Sequence, residues 1–133
     1  MSKSKKSDIL VIGNGISRKE LNLHKLNEKY IIYGCNALWR DFAPDILFVV
    51  DDNMLSEVHS SSYCKVHKVI SPCKYICSEA QIISIEGKWK KWNCGSLAVL
   101  YACQKNPKNV YLAGFDVKYQ LITLIKIVSN TGM

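Results

Sequence analysis

The 133-residue chain has no apolar run of transmembrane length, no internal repeat and no low-complexity tract. It also lacks a recognisable export signal, because the lysine- and serine-rich residues 1–6 lead into a short apolar stretch and not into a signal-peptide core. These absences exclude a helical membrane span and predict a single domain in the cytoplasm.

A disulfide framework is missing as well. The six cysteines are scattered along the chain, and several of them lie inside apolar runs. Without an export signal, we expect reduced and mostly buried thiols. The positions are Cys35, Cys64, Cys73, Cys77, Cys94 and Cys103.

Acidic residues are few. Eleven Asp and Glu stand against 18 Lys and Arg, so the net charge is +7, which favours nucleotides, nucleic acid or acidic surfaces as partners. The segment 89–92, Trp-Lys-Lys-Trp, interleaves aromatics with lysines as surfaces for single-stranded nucleic acid do. The same residues also fit a site for a diphosphate or acidic acceptor, or a solvated loop. No helix-turn-helix or other nucleic-acid-binding motif accompanies them.

Apolar runs alternate with short helical segments along the chain. We predict strands at 8–12, 30–35, 45–50, 65–70, 81–85 and 109–113, and helices at 18–26, 37–42, 54–59 and 95–104. This alternation predicts an α/β fold, a Rossmann-like three-layer sandwich with a mostly parallel sheet. The domain spans 8–117, after a basic and disordered tip at 1–7 and before an atypical apolar segment at 118–133.

The most informative stretch is the apolar run 8–12 followed by the Gly-Asn-Gly sequence at 13–15. It predicts a strand, a tight turn and a helix, since glycine permits a sharp turn and close approach to a ligand. Ser17 and Glu20 have the spacing of a capping box, which predicts a helix that opens at Ser17. Unpaired N–H groups at such a helix start bind anions, most often phosphate.

Dinucleotide-binding loops have a third glycine, which Arg18 replaces here, and they have an acidic residue about twenty positions further on. That acidic residue is not evident, because Cys35 and Asn36 lie at the end of the second strand. NAD is therefore disfavoured. A purely structural strand-to-helix turn remains the alternative to a phosphate site.

Polar residues follow four of the predicted strands, and ligands of parallel sheets bind outside the carboxyl ends of the strands. We therefore expect these residues to converge on one crevice. The four groups are Gly13-Asn14-Gly15, Gly34-Cys35-Asn36, Asp51-Asp52-Asn53 and Gly114-Phe115-Asp116.

The order and spacing of four motifs resemble the bacterial sialyltransferases that use CMP-sialic acid. They also resemble the related domain of motility-associated glycosylation factors and pterin pyrophosphokinase-like proteins. The resemblance covers residues 8–117, with a poor match over 59–88. The motifs are residues 12–17 (Ile-Gly-Asn-Gly-Ile-Ser), 33–36 (Tyr-Gly-Cys-Asn), 92–96 (Trp-Asn-Cys-Gly-Ser) and 111–116 (Tyr-Leu-Ala-Gly-Phe-Asp).

The resemblance implies a domain that binds a CMP-linked sugar donor and transfers the sugar without a metal or any other cofactor. Asn14 and Gly15 would lie beside the donor's phosphate and sugar, and Asn36 would bond the nucleotide. The complete set of predicted nucleotide-binding residues is Gly13, Asn14, Gly15, Ser17, Asn36, Asp51, Asn93, Cys94, Gly95, Ser96, Gly114, Phe115 and Asp116.

The chain differs from that family in the residues that would carry out catalysis. The sialyltransferases place a catalytic histidine well beyond the Gly-Ile-Asp element, whereas this sequence has no histidine after His67 and extends 17 residues past Asp116. We therefore expect a truncated copy or a reduced binding domain and assign no catalytic residue. An acidic pair, Asp51 and Asp52, would also repel phosphate unless a cation or a lysine intervenes.

Five potential metal ligands gather within nineteen residues, but their spacing is looser than that of zinc knuckles. We predict buried thiols and exposed imidazoles there and no metal site. The ligands concerned are His59, Cys64, His67, Cys73 and Cys77.

The predicted function is a sialyltransferase-like glycosyltransferase. Its alternatives are a nucleotide-binding module without catalysis and a basic nucleic-acid-binding accessory protein. The sequence does not specify the donor sugar, the acceptor or the oligomeric state.

Overall fold

The computed structural model describes residues 7–71, 81–82, 93–115 and 125–128, excluding the side chains of Ser17, 81–82 and 125–128. Within these residues seven strands form one sheet in the spatial order β5-β4-β3-β2-β1-β6-β7. All neighbouring pairs from β5 to β6 are parallel, and β7 is antiparallel to β6. The strands are β1 (Asp8–Ile12), β2 (Ile31–Cys35), β3 (Ile46–Phe48), β4 (Val69–Ser71), β5 (Gln81–Ile82), β6 (Asn109–Ala113) and β7 (Ile125–Val128).

Helices lie on both faces of the sheet, and β1 shows how alternate residues serve the two layers. Ile9 and Val11 pack in the same core cluster as residues of α3. Leu10 and Ile12 pack on the opposite face, against α1 and the segment after β2. This confirms the predicted α/β, Rossmann-like fold with a mostly parallel sheet. The α-helices are α1 (Leu23–Leu26), α2 (Asp52–Ser60) and α3 (Cys94–Gln104), and the 3₁₀ helices are Ile16–Glu20, Asn36–Arg40 and Tyr63–Lys65.

The predicted capping box after β1 is wrong. The segment forms a 3₁₀ helix at Ile16–Glu20 whose N-cap is Gly15, and no side chain caps it. The backbone N–H of Gly15 donates to the carbonyl of Gly114 at 2.7 Å, which ties the turn to the end of β6. The predicted helix over 18–26 divides in two, because the Asn22 side chain accepts a hydrogen bond from the Lys25 N–H at 3.1 Å and starts α1.

The predicted strand over 65–70 begins later than expected, at Val69. The residues before it turn as a 3₁₀ helix, where Tyr63 and Cys64 are buried in a cluster with α2. The prediction placed the start of the strand too early. The apolar side chains of Tyr63 and Cys64 are buried because they pack against α2, and they do not belong to an extended strand. The apolar segment over 118–133 contains β7, which pairs with β6.

Candidate functional site

A cavity of about 270 Å³ opens at the carboxyl ends of the central strands. Strands β2 to β5 extend from one side of β1, and the chain then returns to place β6 on the other side. Such a reversal is a topological switch point, where open parallel sheets leave a crevice for ligands. We call it the switch-point cavity; it is lined by Gly13, Asn14, Gly15, Cys35, Asn36, Asn93, Cys94, Gly95, Gly114 and Phe115.

The first wall of the cavity consists of the turns that follow β1 and β6. The N–H of Gly13 donates to the carbonyl of Ala113 at 2.8 Å, and the N–H of Gly15 donates to the carbonyl of Gly114 at 2.7 Å. A Cβ added to Gly13 would lie 2.7 Å from the Gly114 oxygen, and Gly114 itself has a φ of +75°. The two turns therefore need glycine in order to cross in backbone contact.

This contact changes the role that the sequence suggested for the Gly-Asn-Gly turn. The N–H groups of Gly13 and Gly15 donate to the end of β6, so they are engaged within the protein. The 3₁₀ helix that follows has five residues. Its geometry and its occupied donors make this turn a structural joint between two strand ends.

The second wall begins at Asn36, directly after β2. Asn36 has a φ of +49°, a left-handed conformation that asparagine tolerates better than most residues. Its side-chain oxygen Oδ1 is buried and has no hydrogen-bond partner within the described part of the chain. A buried carbonyl oxygen without a donor costs about 1–3 kcal/mol. A ligand group that donates a hydrogen bond would remove that cost.

The start of α3 completes the second wall. The Asn93 side chain caps the helix, because its Oδ1 accepts a hydrogen bond from the Ser96 N–H at 2.8 Å. The N–H groups of Cys94 and Gly95 in the first turn have no acceptor within an α-helix, and both residues line the cavity. The helix has 11 residues, so its dipole adds a partial positive charge here.

The ring of Phe115 packs against this helix start. A Cβ added to Gly95 would lie 2.6 Å from a carbon of the Phe115 ring. Because Gly95 has no side chain, the Phe115 ring can pack against the start of the helix at the edge of the cavity. An aromatic ring at the edge of a cavity is a stacking surface for a flat ligand.

Two buried thiols, Cys35 and Cys94, lie under the second wall. The Cys94 thiol donates a hydrogen bond to the carbonyl of Phe48 at 2.7 Å. Hydrogen bonding to Cys94, and then burial, raise the pKa of Cys35 well above its ordinary value. The raised pKa favours the neutral Cys35 thiol, which is a poor nucleophile. Among the described residues that line the cavity there is no carboxylate, imidazole or ammonium group.

Two of the described residues that the sequence predicted for the site, Asp51 and Ser96, do not line this cavity. Asp51 caps α2, where its carboxylate accepts a hydrogen bond from the Asn53 N–H at 2.8 Å. Ser96 donates its N–H to Asn93, as described above. The side chain of Ser17 and all of Asp116 lie outside the described residues.

Three of the five candidate metal ligands, His59, Cys64 and His67, are described, and they do not come together. Tyr63 stacks on the His67 ring at 4.4 Å between centroids, and Cys64 is buried. Within the described residues no group of three or more potential ligands could hold a metal ion. Cys73, Cys77 and the tryptophan–lysine segment at 89–92 lie outside them.

No protein-family model, curated protein or solved structure matches this chain significantly. The resemblance to the sialyltransferases therefore stays a prediction. Among the described helices, none has the length and apolar character needed to cross a bilayer. What the structure shows is a Rossmann-like α/β fold with a cavity at its switch point.

Proposed function

We propose that the switch-point cavity binds a nucleotide or nucleotide sugar of the CMP-linked kind, and that the protein is glycosyltransferase-like. The observation that carries this proposal is the buried amide oxygen of Asn36, which has no partner among the residues that the structure describes, in a cavity at the switch point. It needs a donor, and ribose hydroxyls and the exocyclic amine of cytosine are donors.

The remaining parts of the cavity suit the other parts of a nucleotide. The first-turn N–H groups of α3 supply donors and a favourable dipole for a phosphate. The Phe115 ring supplies a stacking surface for the base. A volume of about 270 Å³ is small for a ligand site, which favours a mononucleotide over a dinucleotide.

A second candidate is a nucleotide-binding module without catalysis. It is favoured by the uncharged character of the described lining residues, because sugar transfer gains from a general base and none of these residues supplies one. Under this alternative the chain binds the nucleotide but neither hydrolyses the donor nor transfers its sugar.

A thermal-shift screen against CMP, UDP, GDP, NAD and S-adenosylmethionine tests binding. A ligand at a hundred times its Kd stabilises the folded state by about 2.7 kcal/mol, which for a domain of this size raises the Tm by roughly 5–10 °C. We expect this rise with CMP. No rise with any of the five ligands would overturn the proposal.

A matched pair of variants locates the ligand. Asn36→Gly keeps a residue that accepts a positive φ and removes the amide, whereas Asn106→Gly makes the same change at an exposed asparagine with a φ of +59° outside the cavity. The shift with CMP should decrease only in Asn36→Gly. Incubation with CMP-sialic acid then separates the two candidates, since release of the sugar indicates a transferase and intact donor indicates a binding module.

A further inference from the structure

A second cavity of about 440 Å³ lies between the segment that follows β1 and the segment that follows β2. It shares no lining residue with the switch-point cavity. We call it the Arg18 recess, and its polar and ring-bearing lining residues are Arg18, Lys19, Asn22, His24, Asp41 and Phe42.

Arg18 is the unusual residue of this recess. Its side chain is only 14% exposed, and its Cβ would lie 3.0 Å from a Cβ placed on Gly114, so the base of the side chain is fixed against the end of β6. Its one ion pair among the described residues joins Nη2 to Oδ2 of Asp41 at 3.5 Å. The Asp41 side chain is 69% exposed, so most of its charge is satisfied by water.

A guanidinium carries five N–H donors, and a single bond of 3.5 Å to a solvated carboxylate satisfies little of that capacity. Burying a charge without close partners is unfavourable. The position of Arg18 therefore suits an anion that enters the recess and accepts two parallel bonds from the guanidinium.

Positive charge exceeds negative charge in the recess. Lys19 and the His24 ring are exposed on its lining, and Asp41 is the one acid among the described lining residues. The His24 ring stands edge-on to Phe42, with centroids 5.0 Å apart and an angle of 79° between planes, which gives the imidazole a defined position. The two permanent cations, Arg18 and Lys19, against one carboxylate favour a compact anion.

We propose that the Arg18 recess is an anion-binding site for a phosphate group. Arg18 binds the group through two parallel N–H donors of its guanidinium, and Lys19 adds positive charge. The His24 ring offers a further N–H donor, and Asp41 competes with the anion for the guanidinium. The site is separate from the switch-point cavity, so it stands whether or not that cavity binds a nucleotide.

Titration of the ¹⁵N-labelled protein with inorganic phosphate tests this site. We expect amide shift changes centred on residues 18–24 and 41–42, with a Kd at or below roughly 1 mM. Arg18→Gln should weaken binding at least about tenfold, since it removes the bidentate donor. The control Lys29→Gln removes the same charge from an exposed residue outside the recess and should change Kd less than about twofold.

Asp41→Asn distinguishes a ligand site from a structural ion pair. If Asp41 competes with phosphate, its neutralisation should tighten binding about threefold, and the high exposure of this side chain makes the variant safe for folding. A purely structural pair predicts no gain in phosphate affinity. This variant keeps the proposal testable if Arg18→Gln does not fold.

A parallel titration with glycerol 2-phosphate identifies the source of the anion. Equal or tighter binding of the ester indicates a phosphate that belongs to a larger ligand, and tighter binding of inorganic phosphate indicates a free ion. The proposal fails if phosphate up to roughly 10 mM leaves residues 18–24 unchanged. It also fails if the changes centre on residues 93–95, or if Asp41→Asn and Arg18→Gln both leave Kd unaltered.

Discussion

The two walls of the switch-point cavity differ in how they use their polar groups. On the wall formed by the ends of β1 and β6, Gly13 and Gly15 direct their N–H groups to carbonyls of the neighbouring strand end. On the wall formed by Asn36 and the start of α3, a buried amide oxygen lacks a partner among the described residues, and helix N–H groups face the cavity. The first wall therefore builds the fold, and the second offers groups to a ligand.

This difference teaches that a glycine-rich turn after the first strand is not by itself a phosphate site. Glycine serves here because two backbones cross, with a Cβ on either Gly13 or Gly114 falling 2.7 Å from the other's oxygen. The groups that we propose for ligand recognition belong to an asparagine and to a helix whose first turn contains a cysteine.

The largest expected effect concerns the first wall. Gly114→Ala should lower the free energy of unfolding by about 3 kcal/mol or more, because the new Cβ meets the Gly13 backbone and the φ of +75° is strained for alanine. Urea denaturation measures it. Gly95→Ala is the matched control on the second wall, where the Cβ meets a movable Phe115 ring, so it should cost less. Equal losses in both variants would remove the distinction between the walls.

Alkaline pH tests the buried thiols under the second wall. Because the pKa of Cys35 is raised above the ordinary 9.0, the unfolded chain loses this proton first, and stability present below pH 9 is lost as the pH rises. The loss for one thiol is at most about 1.4 kcal/mol per pH unit.

Denaturation of Cys35→Ala at pH 8 and at pH 10 should show a smaller decline than the unaltered protein. Cys103→Ala is the comparison and should show a smaller effect, since Cys103 is only half-buried and burial raises its pKa less strongly than that of Cys35. Burial raises the pKa of Tyr33 to about 12, so its contribution is common to both variants and cancels. An unchanged decline in Cys35→Ala would show that the thiol does not titrate differently in the two states.

Substitution of Asn36 distinguishes an effect on ligand affinity from an effect on the stability of the fold. Asn36→Gly should raise the Kd for CMP about tenfold, which corresponds to about 1.4 kcal/mol, while the free energy of unfolding should not fall, because the variant also removes the buried oxygen that lacks a partner among the described residues. Calorimetric titration and urea denaturation on the same variant measure the two quantities. Loss of stability with unchanged affinity would place Asn36 with the structural wall.

The smallest expected effect is at the helix cap. Asn93→Ala removes the acceptor for the Ser96 N–H and should lower the free energy of unfolding by about 1 kcal/mol. Asn22→Ala removes the equivalent cap of α1, outside the cavity, and serves as the control. Only Asn93→Ala should also weaken nucleotide binding, because α3 alone of these two helices opens on the cavity.

The sequence predicted some elements well because their signals are local. β1 and β6 have the bounds expected from continuous apolar runs, and the helix over 95–104 begins one residue earlier than predicted. The helix after β1 was wrong because its turn is set by the bond from Gly15 to Gly114, about a hundred residues away. The strand before β4 was misplaced because Tyr63 and Cys64 are buried against α2. A local sequence pattern does not predict contacts between such distant segments.

Of the predicted site residues, those that lie at the ends of β1, β2 and β6 and at the start of α3 came together in the cavity. Asp51 does not line the cavity. Aspartate is a favourable N-cap residue, and Asp51 caps the N-terminus of α2. The Arg18 recess was missed. In the sequence Arg18 stands where dinucleotide-binding loops have a third glycine, and a basic residue shortly after a glycine turn is the signal that could have indicated the recess.

The residue pattern by itself determined that this chain forms an α/β domain with buried central strands, since apolar runs and their spacing act over a few residues. The strand order, the crossing of Gly13 with Gly114 and the orphaned oxygen of Asn36 were decided only in three dimensions. These features depend on contacts between segments that are far apart in the sequence. Such contacts form only when the helices and the sheet pack together, so a local sequence pattern does not predict them.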